Sequence, residues 1–238
     1  RSPSLKTHIT ATLPGAQAAL PTLAASLVMG FHFMHELGWL HRDIKPDNIL
    51  VNKAGEARII DFSLSCRIAS GLGKLFGKTK QIQGTRTYIA PETILKKKPT
   101  PQTDMYSLGV TFFEVLPGVP VFAGDSPNAL LKKHLGEDAV APSVFNDNVT
   151  KDIDRVILRM LEKNPAKRFE SMQELGQALR SCRFYEKDPL ALLEEKAAEA
   201  KRLAAESVDV RLDSRAAADR TATGIKAPAR VKKKPKVT

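Results

Sequence analysis

The spacing of apolar positions predicts a mainly helical chain. Between residues 20 and 38, large apolar side chains recur at helical spacing, and Gly38 supplies a stop, which predicts a buried helix. The longest apolar stretch, 18–34, is interrupted by Pro21, Gly30 and His32, so it is not expected to cross a membrane.

Two short apolar runs follow this helix. Residues 49–51 and 57–60 are separated by the turn-forming segment 52–56, which predicts a small β-hairpin. The next stretch, 61–88, is rich in Gly, Lys, Ser and Thr and has no sustained periodicity, so we expect a long loop. A long loop within a compact domain usually has a function.

The rest of the chain is expected to be helical until its composition changes. Helical periodicity begins again at Asp104. Further along the chain, Ser171 followed by Glu174 has the spacing of a capping box, which predicts the start of another helix. We predict an α+β fold that is mainly α. Its further helices are expected from 104 to 116, 126–135, 150–162 and 171–182, with an exposed helix at 189–206 and a tail, 220–238, too polar to form a core.

Composition and charge narrow the function classes. Of the 238 residues 42% are hydrophobic and 26% are charged, which is ordinary for a globular protein and excludes collagen-like and wholly disordered chains. Cys66 and Cys182 lack the spacing of a zinc site, so we expect free thiols in a reducing compartment. The net charge of +11 permits contact with anionic partners, and the segment 226–238 contains only basic charges.

One polar segment carries the candidate chemistry. Residues 41–48, His-Arg-Asp-Ile-Lys-Pro-Asp-Asn, resemble the catalytic loop of protein kinases. The resemblance implies that Asp43 orients the substrate hydroxyl and accepts its proton, and that Lys45 neutralises charge on the transferring phosphate. It also implies that Asn48 helps to bind ATP and its magnesium ion.

Two further segments strengthen the resemblance. Asp61-Phe62-Ser63 stands where the family has its metal-binding Asp-Phe-Gly sequence, 18 residues after Asp43, so Asp61 is implied as a second magnesium ligand. Residues 84–92 are similar to the family's substrate-binding segment, which ends in Ala-Pro-Glu. Within it Thr85 is an implied substrate-binding residue. Thr85 and Lys45 together match serine/threonine kinases rather than tyrosine kinases.

The resemblance also implies structural and regulatory roles. Glu92 would pair with Arg168, and Asp104 would hold the backbone of the catalytic loop. Arg42 would bind a phosphate on the loop that follows Asp61, because a guanidinium binds phosphate in a bidentate manner. Thr79, between two lysines, is our first choice for that phosphorylated residue.

The resemblance covers residues 4–183 and implies a partial domain. We expect residues 1–183 to form the carboxy-terminal lobe of a kinase domain whose amino-terminal lobe is absent, followed by a basic, flexible tail at 184–238. No glycine-rich loop or strand lysine occurs, so we expect this chain alone to be inactive. Ser63 replaces the family's glycine, for which we expect altered switching of the loop.

The function implied is a signalling serine/threonine kinase. It would transfer the γ-phosphate of ATP, with Mg²⁺, to Ser or Thr hydroxyls of protein substrates. The main alternative is a pseudokinase or interaction scaffold that keeps the kinase fold. A second alternative is a nucleic-acid binder that acts through the basic tail, and we do not favour this one. The expected location is the cytoplasm, or the nucleus if the tail is an import signal.

Overall fold

The computed structural model describes residues 2–52, 54–68 and 86–204. The predictions for Thr79, Thr85 and the tail 220–238 therefore lie outside the described residues. The helices are α1 (Leu5–Ala11), α2 (Leu13–Glu36), α3 (Pro91–Ile94), α4 (Pro101–Val115), α5 (Pro127–Gly136), α6 (Lys151–Met160), α7 (Met172–Arg180) and α8 (189–204). The strands are β1 (Trp39–Leu40), β2 (Ile49–Val51), β3 (Ala57–Ile59) and β4 (Cys66–Arg67). The mainly helical prediction is confirmed.

Both small sheets are antiparallel pairs. Strands β2 and β3 form the predicted hairpin, with Ile49 opposite Ile59 and Val51 opposite Ala57. Strand β1 pairs with β4, which the sequence did not predict. Two-residue strands are too short to show an alternating pattern, so this pairing has no local signal.

Helix α4 is the centre of the core. All thirteen residues from Thr103 to Val115 are buried, as expected for a helix that is packed on every side. Gly109 lets α6 approach closely, because a Cβ atom at this position would lie 2.8 Å from the Cβ of Met160. Helix α4 begins at Pro101, earlier than predicted, and at its start the Thr103 hydroxyl accepts the Thr100 N–H at 3.0 Å.

Helix α2 lies against α4 and α7 and starts seven residues before the predicted position 20. Pro14 is tolerated because the first turn of a helix does not use its N–H groups. Pro21 lies inside the helix, where it cannot donate to the carbonyl four residues earlier. By length and hydropathy α2 would suffice to cross a membrane. Eight of its side chains are buried within the fold, however, which favours the predicted core helix.

The three helices predicted after α4 are confirmed as α5, α6 and α7. Each begins with a side-chain cap, from Ser126, Thr150 and Ser171 respectively. The capping box predicted at Ser171 forms only in part. The Ser171 hydroxyl accepts the Glu174 N–H at 3.1 Å, whereas the Glu174 carboxylate accepts the Glu170 N–H and pairs with Arg159.

The compact unit that contains these elements extends past residue 183, as far as Ala191. Phe184 and Tyr185 are buried, and the Asn148 side chain bonds to the backbone of Lys187 in both directions. A second unit begins at Leu192. Its described side chains from 193 to 204 are all exposed, in keeping with the exposed helix predicted there.

The predicted pair between Glu92 and Arg168 is confirmed and completely buried. Two guanidinium nitrogens of Arg168 donate to the two Glu92 carboxylate oxygens at 2.8 and 3.0 Å. The same guanidinium also donates to the carbonyls of Gln102 and Glu162. Arg168 thus joins α3 to the start of α4 and to the loop after α6.

Arg168→Met is expected to lower the free energy of unfolding by about 3–5 kcal/mol, because the Glu92 carboxylate would be left buried and unpaired. Urea denaturation measures this loss. The matched control is Arg155→Met, whose ion pair with Asp152 is exposed, and which should cost less than about 1 kcal/mol. Equal losses in the two variants would contradict the role assigned to Arg168.

Candidate active site

The candidate active site is built on the loop between β1 and β2, residues 41–48, which we call the catalytic loop. Leu40 at its start and Ile49 at its end are buried, so both ends are fixed in the fold. Within it Arg42 has a left-handed backbone with φ of 70°. Side chains with a Cβ atom rarely adopt this conformation, so the surroundings must hold it.

Asp104 on α4 holds this part of the loop, as predicted. Its Oδ1 atom accepts the Arg42 N–H at 2.8 Å, and its Oδ2 atom accepts the His41 N–H at 2.9 Å. The His35 Nε2 atom on α2 lies 2.9 Å from the same Oδ2 atom. This buried carboxylate therefore connects two helices to the loop, and the prediction for Asp104 is confirmed.

His41 is a buried bridge within the loop. Its Nδ1 atom accepts the Asp43 N–H at 3.3 Å, so the proton of a neutral ring is on Nε2, which donates to the Ile60 carbonyl at 3.2 Å. The ring also contacts Phe62, with the ring centres 5.1 Å apart. His41 thus ties the loop to the segment that carries Asp61.

Asp43, Lys45 and Asn48 lie together. The Asp43 Oδ2 atom accepts hydrogen bonds from Lys45 Nζ at 2.7 Å and from Asn48 Nδ2 at 3.0 Å. Asn48 Nδ2 also donates to the Asp43 carbonyl at 2.9 Å. These bonds orient the Asn48 amide and identify Oδ1 as its acceptor atom. The three predicted residues of the catalytic loop are brought into one cluster.

The β2–β3 hairpin brings Asp61 beside this cluster. The Ile60 N–H donates to the Asn48 carbonyl at 2.9 Å, so Ile60 lies opposite Asn48. Asp61 is the next residue in the chain after Ile60. Asp61 is exposed and has a left-handed backbone with φ of 62°. The Ser63 hydroxyl is the main cause that lowers the pKa of Asp61, followed by the Ser63 N–H, with smaller contributions from Lys45 and His41.

The available oxygen atoms suit a magnesium ion. Mg²⁺ prefers oxygen ligands and is usually bound by one or two carboxylates together with phosphates and water. Asn48 and Asp61 supply one amide oxygen and one carboxylate. Within the described ranges no group of three or more His, Cys, Asp and Glu side chains is found, so a closed site of the zinc type has no support there.

Arg42 lies beside the segment after Asp61. Its Nη1 atom is 3.4 Å from the Leu64 carbonyl, and its side chain is half-buried. Thr79, the residue predicted to carry the phosphate, and Thr85, the predicted substrate-binding residue, lie outside the described residues. The roles of Arg42, Thr79 and Thr85 therefore stay predictions.

The sequence interpretation missed His35 and a second buried cluster. A polar residue beside the apolar stripe of a buried helix suggests a buried hydrogen-bond partner, and this signal could have identified His35. In the second cluster, Glu114 on α4 accepts a hydrogen bond from Tyr88 at 2.6 Å and pairs with Lys6 on α1. Burial, together with Glu114, raises the pKa of the Tyr88 hydroxyl. No sequence spacing relates these three residues.

Comparisons with known proteins agree with the resemblance found in the sequence. The family model described as protein kinase domain matches residues 2–179. The serine/threonine-protein kinase PknB of Mycolicibacterium smegmatis is 35% identical over 64% of this chain and 24% of its own length. PknB of Mycobacterium leprae is 32% identical over 71% of this chain and 26% of its own length. A probable serine/threonine-protein kinase of Streptomyces coelicolor is 31% identical over 67% of this chain. The chain spans about a quarter of the length of these relatives.

Asp104→Asn is expected to weaken the hydrogen bonds that hold the backbone of the catalytic loop at His41 and Arg42. In either orientation the amide NH₂ of Asn would face a backbone N–H or the His35 ring, so at least one buried donor would lose its acceptor, at a cost of about 1–3 kcal/mol. Hydrogen exchange should then show the His41 and Arg42 amides exchanging roughly 10–100 times faster, relative to the core amides.

The control for this measurement is Asp154→Asn. Asp154 is also buried and accepts the Ser143 N–H at 3.0 Å, far along the chain from the catalytic loop. This variant should leave the His41 and Arg42 amides protected, since Asp154 accepts no hydrogen bond from either of them. Unchanged protection of both amides in Asp104→Asn would refute the role of Asp104.

Proposed function

Because this chain belongs to the protein kinase family, we propose that it carries the phosphoryl-transfer residues of a serine/threonine kinase. The reaction would move the γ-phosphate of ATP to a Ser or Thr hydroxyl of a protein substrate. The observation that carries the proposal is the bonded cluster of Asp43, Lys45 and Asn48 beside Asp61. The chain spans only part of its relatives, so the activity is proposed for the whole protein.

Asp43 is the proposed base and substrate-orienting residue. Kinases use a carboxylate to orient the acceptor hydroxyl and to take its proton as the phosphate is transferred. The side chain of Asp43 is held on one oxygen by Lys45 and Asn48, and its backbone N–H is held by His41. Such fixed placement supports the role, because catalysis of phosphoryl transfer depends on positioning and electrostatics.

Lys45 is the proposed cation beside the transferring phosphate. Its ammonium group lies 2.7 Å from the Asp43 carboxylate, so it is held where the substrate hydroxyl would meet the phosphate. A positive charge at this point stabilises negative charge that develops on the phosphate oxygens.

Asn48 and Asp61 are the residues that would hold magnesium. A magnesium ion held by these residues would offset the negative charge of the ATP phosphates. The Asn48 amide supports this assignment because its nitrogen is used by Asp43, which leaves oxygen as its metal-binding atom. Asp61 supports it because this residue directly follows Ile60, whose N–H donates to the Asn48 carbonyl at 2.9 Å.

Two features support an aliphatic acceptor hydroxyl. Lysine stands two residues after Asp43, and Thr85 lies in the proposed substrate-binding segment, as in serine/threonine kinases. The relatives reported above carry serine/threonine kinase names. The pseudokinase alternative is not favoured, because the base, the lysine and both metal-binding residues are present and lie together.

Asp43→Ala should reduce phosphate transfer by roughly 10²–10⁴-fold, the usual contribution of a positioned base. Transfer from labelled ATP to a generic basic protein measures this in the protein as its gene encodes it. The wild-type product should contain phosphoserine and phosphothreonine and should lack phosphotyrosine.

The matched control is Asp152→Ala, an exposed carboxylate on α6 whose loss should leave transfer unchanged. Full activity of Asp43→Ala would refute the role of Asp43. A folded wild-type protein that transfers no phosphate with either magnesium or manganese would refute the kinase proposal as a whole.

A further inference from the structure

Ser63 departs from the family's glycine at a position next to the proposed metal ligand. The Ser63 hydroxyl donates to the Asp61 Oδ1 atom at 2.6 Å, and the Ser63 N–H donates to the same atom at 3.3 Å. A glycine at this position retains the N–H donor and lacks the hydroxyl. The shorter of the two bonds therefore depends on the Ser63 hydroxyl.

The backbone at Ser63 does not require glycine. Within the described part of the chain the left-handed residues other than glycine are Arg42, Asp61 and Lys96. Ser63 is not among them, so a Cβ atom is accommodated without strain at this position. The left-handed residue in this segment is Asp61 itself, two positions earlier.

The two bonds restrict the Asp61 side chain in a defined way. Asp61 is exposed, so little packing limits the rotation of its carboxylate. With Oδ1 held by both Ser63 donors, the carboxylate has one preferred orientation, and Oδ2 is the oxygen presented for a metal ion. Hydrogen bonds from neighbouring residues commonly orient metal-binding carboxylates in this way and strengthen metal binding.

We infer that Ser63 is a positioning residue, whose hydroxyl fixes the Asp61 carboxylate in the orientation that binds the magnesium ion of ATP. This inference rests on the proposed function, since it assigns a role at the same metal site. The expectation that Ser63 alters the switching of the loop is a separate one and stays a prediction. The hydroxyl acts on the metal site through Asp61 and not through contact with substrate.

The test is a titration of Mn²⁺ followed by electron paramagnetic resonance, in the presence of a non-hydrolysable ATP analogue. It uses the protein as its gene encodes it, and Mn²⁺ serves as a spectroscopic substitute for Mg²⁺. Ser63→Ala and Ser63→Gly should each weaken Mn²⁺ binding about tenfold, because hydrogen bonds to a metal-binding side chain usually contribute 10–100-fold to affinity. Ser63→Thr keeps the hydroxyl and should bind Mn²⁺ within about twofold of wild type.

Asp61→Asn separates the two levels of the proposal. If Asp61→Asn weakens Mn²⁺ binding while Ser63→Ala binds as tightly as wild type, the role of Ser63 is refuted and the metal site stands. Equal weakening in Ser63→Thr and Ser63→Ala would also refute it, since the hydroxyl would then not be the cause. Unchanged binding in Asp61→Asn would overturn the metal site itself, and the inference with it.

Discussion

The buried Asp104 carboxylate is the constraint on which the candidate site depends. Left-handed backbone at a residue such as Arg42 costs roughly 1–2 kcal/mol, and a loop free in solvent would not keep it. Hydrogen bonds to a charged group contribute about 1.5–3 kcal/mol each, and Asp104 accepts two from consecutive backbone amides of the loop. The gain exceeds the cost, so the strained conformation is stable in the fold.

The arrangement of the candidate site follows from Asp104 through a short series of contacts. Fixing His41 and Arg42 places Asp43 next in the chain, and the His41 ring then reaches the Ile60 carbonyl. The hairpin supplies the second connection, because the Asn48 carbonyl accepts the Ile60 N–H. Asp61 therefore lies near the site although it comes from a different segment and its own side chain is exposed. This explains how an exposed carboxylate occupies a defined place beside buried ones.

The sequence predicted those parts of the fold whose signals are local. Helices α4 to α7 and the β2–β3 hairpin follow from periodicity and turn residues. The resemblance implied that Asp104 holds the catalytic loop, which is confirmed, whereas the roles of Asp43, Asn48 and Asp61 stay predictions. It did not predict contacts between distant segments, such as β1 with β4, or His35 with Asp104. Such pairs depend on how α2 and α4 pack, which no spacing encodes. The Ser63 bond to Asp61 was missed for another reason, since the family's pattern describes a glycine there.

The central claim is that Asn48 and Asp61 form one metal site beside the base Asp43. An experimental structure of the protein as its gene encodes it, with Mg²⁺ and a non-hydrolysable ATP analogue, tests this claim most directly. We expect a magnesium ion bound by Asn48 Oδ1 and by Asp61, with the terminal phosphate facing Lys45 and Asp43. A bound nucleotide whose metal ion contacts neither Asn48 nor Asp61 would contradict the account.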